Sequence, residues 1–245
     1  ANPQLGARGT LYQPLKNLGH HIIPVLPALA PLETDPTLFH KLQGVRLDAG
    51  ITLLYNNKEV AHSIGNILFT QWGLNGPGVM NISHQIDIEH LEQQLLIIDL
   101  APHYFELIRR SFQDPIFRRL SPTSILLGFF PKKVVEFLLR QSAVLSVESS
   151  TELSKTQRET LLHAIRNQPA KIRGVRGFKH AQASSGGIAL RDVDAHSMES
   201  RICPGLYFAG EILNVLGPCG GFNLHWAFQS AILAANGIRN TLHNS

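Results

Sequence analysis

Gly217, Gly220 and Gly221 put three glycines within five residues, and Phe222, Asn223, Leu224, His225 and Trp226 follow at once at the start of an apolar helix. Ordered glycine costs backbone entropy, so such a cluster points to positive φ or to main chain lying close against a ligand. A helix that begins directly behind glycines presents unpaired N–H groups and the positive end of its dipole. Gly221, Phe222, Asn223 and Leu224 would face an electron-rich edge: a phosphate, or the carbonyl–nitrogen edge of a flavin, where negative charge gathers on reduction. The other reading is a tight structural connection, since the loop has neither GxGxxG nor the lysine of GxxxxGK[ST]. Upstream, "GLYFAGEIL" (205–213) reads as a buried strand. It ends in Gly210, which permits close approach, and Glu211, which can accept hydrogen bonds from hydroxyls. Ligands collect at such carboxyl ends of strands in open α/β sheets.

Other residues carry chemistry by type. His225 is a candidate proton donor beside a bound ring, while Trp226 on the same first turn reads as core. In "FTQWGLNGPGVMNIS" (69–83), Trp72 and Asn75 are candidates for a substrate-side wall, set against a purely structural strand-to-helix turn through Gly73, Gly76 and Gly78. His84, Asp87, Glu89 and His90 cluster in "HQIDIEH", but a helical zinc site needs a His pair at i, i+4 and a third ligand segment, so no metal is expected. His20 and His21 read as a surface pair. Cys203 and Cys219 form no CxxC pair, and Cys219 reads as a small filler residue.

The elements that must position these residues follow from pattern. Leu11–Leu18 suggests a short helix stopped by Gly19, and Pro24, Pro27 and Pro31 favour an extended, edge-like path. Residues 45–55 and 66–74 read as strands, with Asn56-Asn57 as a hairpin turn leading to a strand near 58–63; 94–101 reads as a strand of the continuous buried type. Residues 102–167 read as helical, with Ser121 as N-cap before Pro122 and a last helix over 151–167 ended by Pro169. Strand character returns over 170–190, and the final helix is expected from Asn223 to Asn240.

Composition narrows the function classes. With 245 residues, 44% of them apolar, the chain can bury a real core and lies near the length where one domain becomes two. Its 22 Lys+Arg against 18 Asp+Glu are scattered as pairs (Arg109-Arg110, Arg118-Arg119, Lys132-Lys133) and singles, with one basic stretch at Lys171, Arg173, Arg176 and Lys179. That pattern argues against a nucleic-acid partner. No apolar run reaches membrane-spanning length and no signal segment opens the chain, so the cytoplasm is the expected compartment.

At the level of motifs, "SSGGIALRDVDAHSMESRICPGLYFAGEILNVLGPCGGFNLHWAFQSA" resembles the C-terminal FAD-binding segment of the bacterial NAD(P)/FAD-dependent oxidoreductase family that includes aminoacetone-oxidase-like and bile-acid-reductase-like (BaiN-type) flavoproteins. "LGHHIIPVLPALAPL", "GNILFTQWGLNGPGVMNIS" and "LLIIDLAP" extend the likeness upstream in the family's order. The resemblance implies a mixed α/β fold: a Rossmann-like FAD-binding domain split by an inserted β-barrel-type, substrate-side domain with a helical part. Mapped here, residues 1–22 would be a remnant of the first FAD-domain portion, 23–178 the insert (β-rich 23–101, helical 102–167) and 179–245 the returning FAD-domain portion. Gly210 and Glu211 would meet the ribityl–phosphate region, and Gly220 to Leu224 would present the helix N-terminus to the ring.

The resemblance implies FAD as cofactor, NAD(P)H as reductant and a small-molecule substrate. Family members open with a dinucleotide fingerprint, and the first residues here align after it. Gly6-Ala7-Arg8-Gly9-Thr10-Leu11-Tyr12 stand where a GxTGDGY-like stretch is expected, without its aspartate and one glycine. The expectation is therefore a fragment that binds FAD poorly by itself. As an oxidoreductase fragment it would be a truncated gene product or half of a split enzyme completed by an upstream-encoded FAD-domain chain; the alternative is a non-catalytic remnant or partner subunit that needs a separate fingerprint-bearing chain.

Overall fold

The computed structural model describes residues 8–117 and 119–244. Gly6 and Ala7 of the diverged motif, the opening residues of the 1–22 segment and Arg118 lie outside them. In chain order the elements are α1 (Tyr12–Asn17), β1 (Ile22–Ala28), β2 (Leu32–Thr34), α2 (Pro36–Phe39), β3 (Arg46–Tyr55), β4 (Lys58–Phe69), β5 (Gly73–Asn75), α3 (Pro77–Met80), β6 (Gln94–Asp99), α4 (Phe105–Ser111), α5 (Pro122–Leu127), α6 (Lys132–Gln141), α7 (Lys155–Arg166), β7 (Gln168–Val175), β8 (Ala183–Ile188) and α8 (Phe222–Asn244). They form two compact units: Leu32–Gly174, and the chain up to Pro31 together with Val175 onward. Among the described residues no helix is long and apolar enough to cross a membrane.

The Leu32–Gly174 unit is a closed barrel in the order β2-β5-β4-β3-β6-β7, with helices α4 to α7 inserted between β6 and β7. Asn56 and Asn57 take positive φ (48° and 61°), which matches the two-residue turn that joins Tyr55 to Lys58 in register. β6 is not uniformly buried as expected. Leu96 and Ile98 are fully buried while Leu95 and Ile97 are half-buried, because a barrel wall has an inside and an outside. β7 alternates the same way, with Lys171 and Arg173 on the outer face, and Pro169 sits in this strand rather than at a helix end.

The glycines of 69–83 answer to packing. A Cβ on Gly73 would lie 2.2 Å from the Leu32 carbonyl oxygen, one on Gly76 2.5 Å from that of Asn66, and one on Gly78 2.7 Å from that of Gly65. The main chains of β2, β5, β4 and α3 therefore approach more closely than any side chain allows.

In the helical part, Ser121 Oγ accepts the Ser124 N–H ahead of Pro122, and Ser154 and Gln157 form a capping box that starts α7. α6 buries Val134, Phe137 and Leu138. Phe39 ties that helix to the barrel, its ring centroid 5.1 Å from Phe69 and 6.3 Å from Phe137.

In the other unit β1 and β8 pair antiparallel as a two-stranded sheet, from Ile22 opposite Ile188 to Ala28 opposite Ala183. The expected strand over 205–213 does not form. Tyr207 makes a single bridge, to Glu199, and Gly210–Ile212 is a 3-10 turn. Its hydrogen bonds go elsewhere: Phe208 N–H donates to the Met198 carbonyl at 3.0 Å and Gly210 N–H to Ser230 Oγ at 2.9 Å. A positive φ of 75° at Gly210 then bends the chain out of line.

His20 is also not at the surface. It is 2% exposed, with Nδ1 3.1 Å from the Leu15 carbonyl oxygen and Nε2 2.7 Å from Ser200 Oγ, because the Gly19 turn tucks it beneath α1. His21 is the exposed member of the pair, its Nδ1 3.1 Å from the buried Asp192 carboxylate.

Candidate functional site

The glycine loop is held from within. Gly217 N–H donates to Asn223 Oδ1 at 2.8 Å, and Asn223 Nδ2 donates back to the Gly217 carbonyl at 2.9 Å. The Asn223 side chain is thus committed to the loop, and what it can offer a ligand is its main-chain N–H. Gly220 and Gly221 take φ of 127° and 88°, and the His225 N–H closes the first turn on the Gly221 carbonyl at 2.9 Å. The N–H groups of Phe222, Asn223 and Leu224 have no acceptor among the described residues. They are the free donors of a 23-residue helix. Phe222 and Leu224 are exposed, 57% and 69%, and His225 is exposed beside them.

Trp226 packs on the core around Ile188, Phe208 and Leu213, as its position on the helix suggested, and its buried Nε1 has no hydrogen-bond partner among the described residues. Ser230, one turn further on, is completely buried; its Oγ donates to the Trp226 carbonyl at 2.7 Å and accepts the Gly210 N–H. This hydroxyl links the 210–212 turn to α8.

Glu211 projects from that turn, and its Oε1 accepts both the N–H (2.6 Å) and the hydroxyl (2.9 Å) of Ser184 on β8. Burial, and then the Glu211 charge, push the Tyr12 phenol above its ordinary range. Burial also raises the Cys219 thiol, whose Sγ lies 3.9 Å from Gln182 Oε1, as suits a filler rather than a nucleophile. Ser184, Ser230 and Tyr12 are given no role by the sequence reading, although each lies in a stretch that carries the resemblance: Ser184 in "SSGG", Ser230 in "HWAFQSA" and Tyr12 in the residues set against the GxTGDGY-like stretch.

Trp72 and Asn75 belong to the barrel unit. Trp72 is half-buried and its carbonyl accepts the Thr34 N–H at 3.2 Å; Asn75 Oδ1 accepts the Gly76 N–H at 2.7 Å. In "HQIDIEH", His90 Nδ1 lies 2.8 Å from Asp87 Oδ2, and that pairing raises the imidazole's pKa and lowers the carboxyl's. His84 is turned inward, and burial lowers its pKa.

Residues 26–183 match the family model described as HI0933-like protein barrel and H2TH domain. The 3-dehydro-bile acid delta(4,6)-reductase of Clostridium scindens is 33% identical over 239 residues, which are 96% of this chain and 58% of that protein. The ribosomal RNA dihydrouridine synthase of Haemophilus influenzae is 33% identical over 242 residues (96% and 57%). That of Escherichia coli is 29% identical over 239 residues (96% and 58%). The chain thus spans a little under three fifths of the length of these relatives. With a bile-acid reductase among them the resemblance read from the motifs holds, and the chain belongs to the HI0933-like family.

Proposed function

We propose that this chain is the barrel and flavin-edge part of an FAD-dependent oxidoreductase that, with NAD(P)H as reductant, saturates a carbon–carbon double bond conjugated to a carbonyl. The relatives' names support that reaction class: a 3-dehydro steroid with delta(4,6) unsaturation and the uracil ring of uridine both contain such a bond. The observation that carries the reading is the row of free N–H groups at Phe222, Asn223 and Leu224, presented by Gly220 and Gly221 and held by the Asn223–Gly217 clamp. Such donors fit the carbonyl–nitrogen edge of a flavin, which becomes negative on reduction. When bound, FAD supplies hydride transfer. Glu211, oriented by Ser184, would accept from ribityl hydroxyls. His225 would hold the proton for the substrate, and Trp72 and Asn75 would wall the substrate side.

The Rossmann-like half that holds the pyrophosphate would pack on α8. Leu224 (69% exposed), Phe228 (70%) and Ile232 (54%) recur every fourth residue, with Ile238 and Leu242 continuing the face, which makes an apolar stripe that water does not favour. In this reading the stripe is covered by the part of the relatives' length outside the match. The same stripe favours a second reading, a non-catalytic partner subunit docked on an FAD-domain chain.

Reconstitution separates the two. The chain is mixed with the polypeptide matching the rest of the relatives' length, FAD, NAD(P)H and, in separate runs, a conjugated dienone or a uridine-containing RNA, and the absorbance of the conjugated double bond in either one is followed. Its loss with consumption of NAD(P)H is expected. Bound flavin reduced by NAD(P)H, with both a dienone and uridine-containing RNA left untouched, would instead favour the partner-subunit reading.

A further inference from the structure

The net charge of +4 is unevenly placed: residues 102–167 carry ten Lys or Arg against six Asp or Glu, and the remainder of the chain twelve against twelve. The helices thus hold the whole excess, and folding gathers part of it. α6 sets Lys133, Phe137, Arg140 and Gln141 along one stripe at helical spacing. Segment 36–43 lies against that stripe, with Lys133 Nζ donating to the Gln43 carbonyl at 3.1 Å. Thr37, His40 and Lys41 line, with Phe137, Arg140 and Gln141, an open pocket of about 280 Å³.

Among the described residues no acidic side chain lines this pocket. Asp35, two residues before Thr37, accepts from the Thr37 N–H and hydroxyl (3.0 and 2.8 Å) and pairs with Arg173 at 3.1 Å, and Glu136, one residue before Phe137, pairs with Lys132 at 3.8 Å, so both charges are met. Among the described residues Lys41, Lys133 and Arg140 make no ion pair, whereas Arg109, Lys132, Lys155 and Arg166 each do. Phe137 gives the pocket a rigid floor, only 8% exposed and packed on Phe39.

We propose that this pocket is a phosphate subsite. Lys41 and Arg140 hold a phosphodiester of a structured RNA there, and Lys133, two turns or about 10 Å along the helix, meets a second phosphate of the same strand. Charges scattered in sequence argued against a nucleic-acid partner, but the fold brings Lys41 and Arg140 to one pocket. The proposal names the substrate class of the reductase reading and rests on that reading for the reaction alone. Binding needs neither flavin nor turnover, so the two fail separately.

The test is fluorescence anisotropy of a labelled RNA stem-loop across a salt series, on the chain itself. The double variant Lys41→Gln/Arg140→Gln should bind at least about tenfold more weakly and flatten the log K against log salt slope by about 1.5, as for two lost phosphate contacts. Lys16→Gln/Lys58→Gln, with equal charge loss, should stay within about twofold of wild type. If the double variant fails to fold, Lys41→Gln alone should give about half the slope change. Equal weakening by both double variants, or none by the first, overturns the proposal. A second arm adds inorganic pyrophosphate in thermal denaturation. Stabilisation that the double variant loses, without RNA binding, keeps the phosphate pocket and overturns the RNA assignment. No response to either probe overturns both.

Discussion

Ser230 Oγ is the only acceptor for the Gly210 N–H among the described residues, and both groups are buried. Ser230→Ala leaves that donor unsatisfied, which costs about 1–3 kcal/mol and lowers the melting temperature by roughly 2–4 °C per kcal/mol in a chain of this size; thermal denaturation reads it. Asp192 behaves as a second buried anchor. Burial alone would raise its pKa, but hydrogen bonds from the His21 main chain and ring and the nearby positive charge outweigh it and hold the carboxyl below its usual range. A carboxyl lowered in the folded state stabilises above its unfolded pKa of about 3.9, and that stability is lost as pH falls below it. Stability measured by denaturant between neutral and acid pH should fall in that window, and Asp192→Ala should flatten the fall. The sequence marked His20 and His21 together, yet one is buried and the other exposed. Periodicity could not tell them apart, because the burial comes from Ser200, 180 residues away.

At the scale of elements, Gly73 sets how closely β2 and β5 approach. Gly73→Ala puts a Cβ 2.2 Å from a carbonyl oxygen, so it should cost at least about 2 kcal/mol in denaturant titration. Gly44→Ala, also at positive φ (83°) but with nothing within 4 Å, should cost only about 1 kcal/mol. Elements set by local chemistry were legible: the Asn56-Asn57 turn, the Ser121–Pro122 cap and α7 are fixed by contacts within a few residues. The strand over 205–213 was not, since a strand exists only with a partner, and Phe208 and Gly210 give their N–H groups to Met198 and Ser230. The same blindness hid the two faces of β6, whose alternation depends on barrel closure.

Over the whole molecule, the barrel with its helices and the unit bearing α8 divide two tasks in the proposed enzyme, substrate handling and the flavin edge. The glycine loop could be marked in sequence as a candidate ligand loop because glycines and a helix start adjoin there. Its clamp by Asn223 and the apolar stripe of α8 became evident only in the fold. In the proposed enzyme, free N–H groups at the start of α8 hold a flavin edge once the phosphate-binding half packs on that helix. The most direct measurement is the visible spectrum of the gel-filtered protein after incubation with FAD, with and without the polypeptide matching the rest of the relatives' length. Bound flavin is expected only with that polypeptide, and its loss in Phe228→Glu, which charges the stripe. Flavin retained by the chain by itself, or absent from a complex that does form, would contradict the proposal.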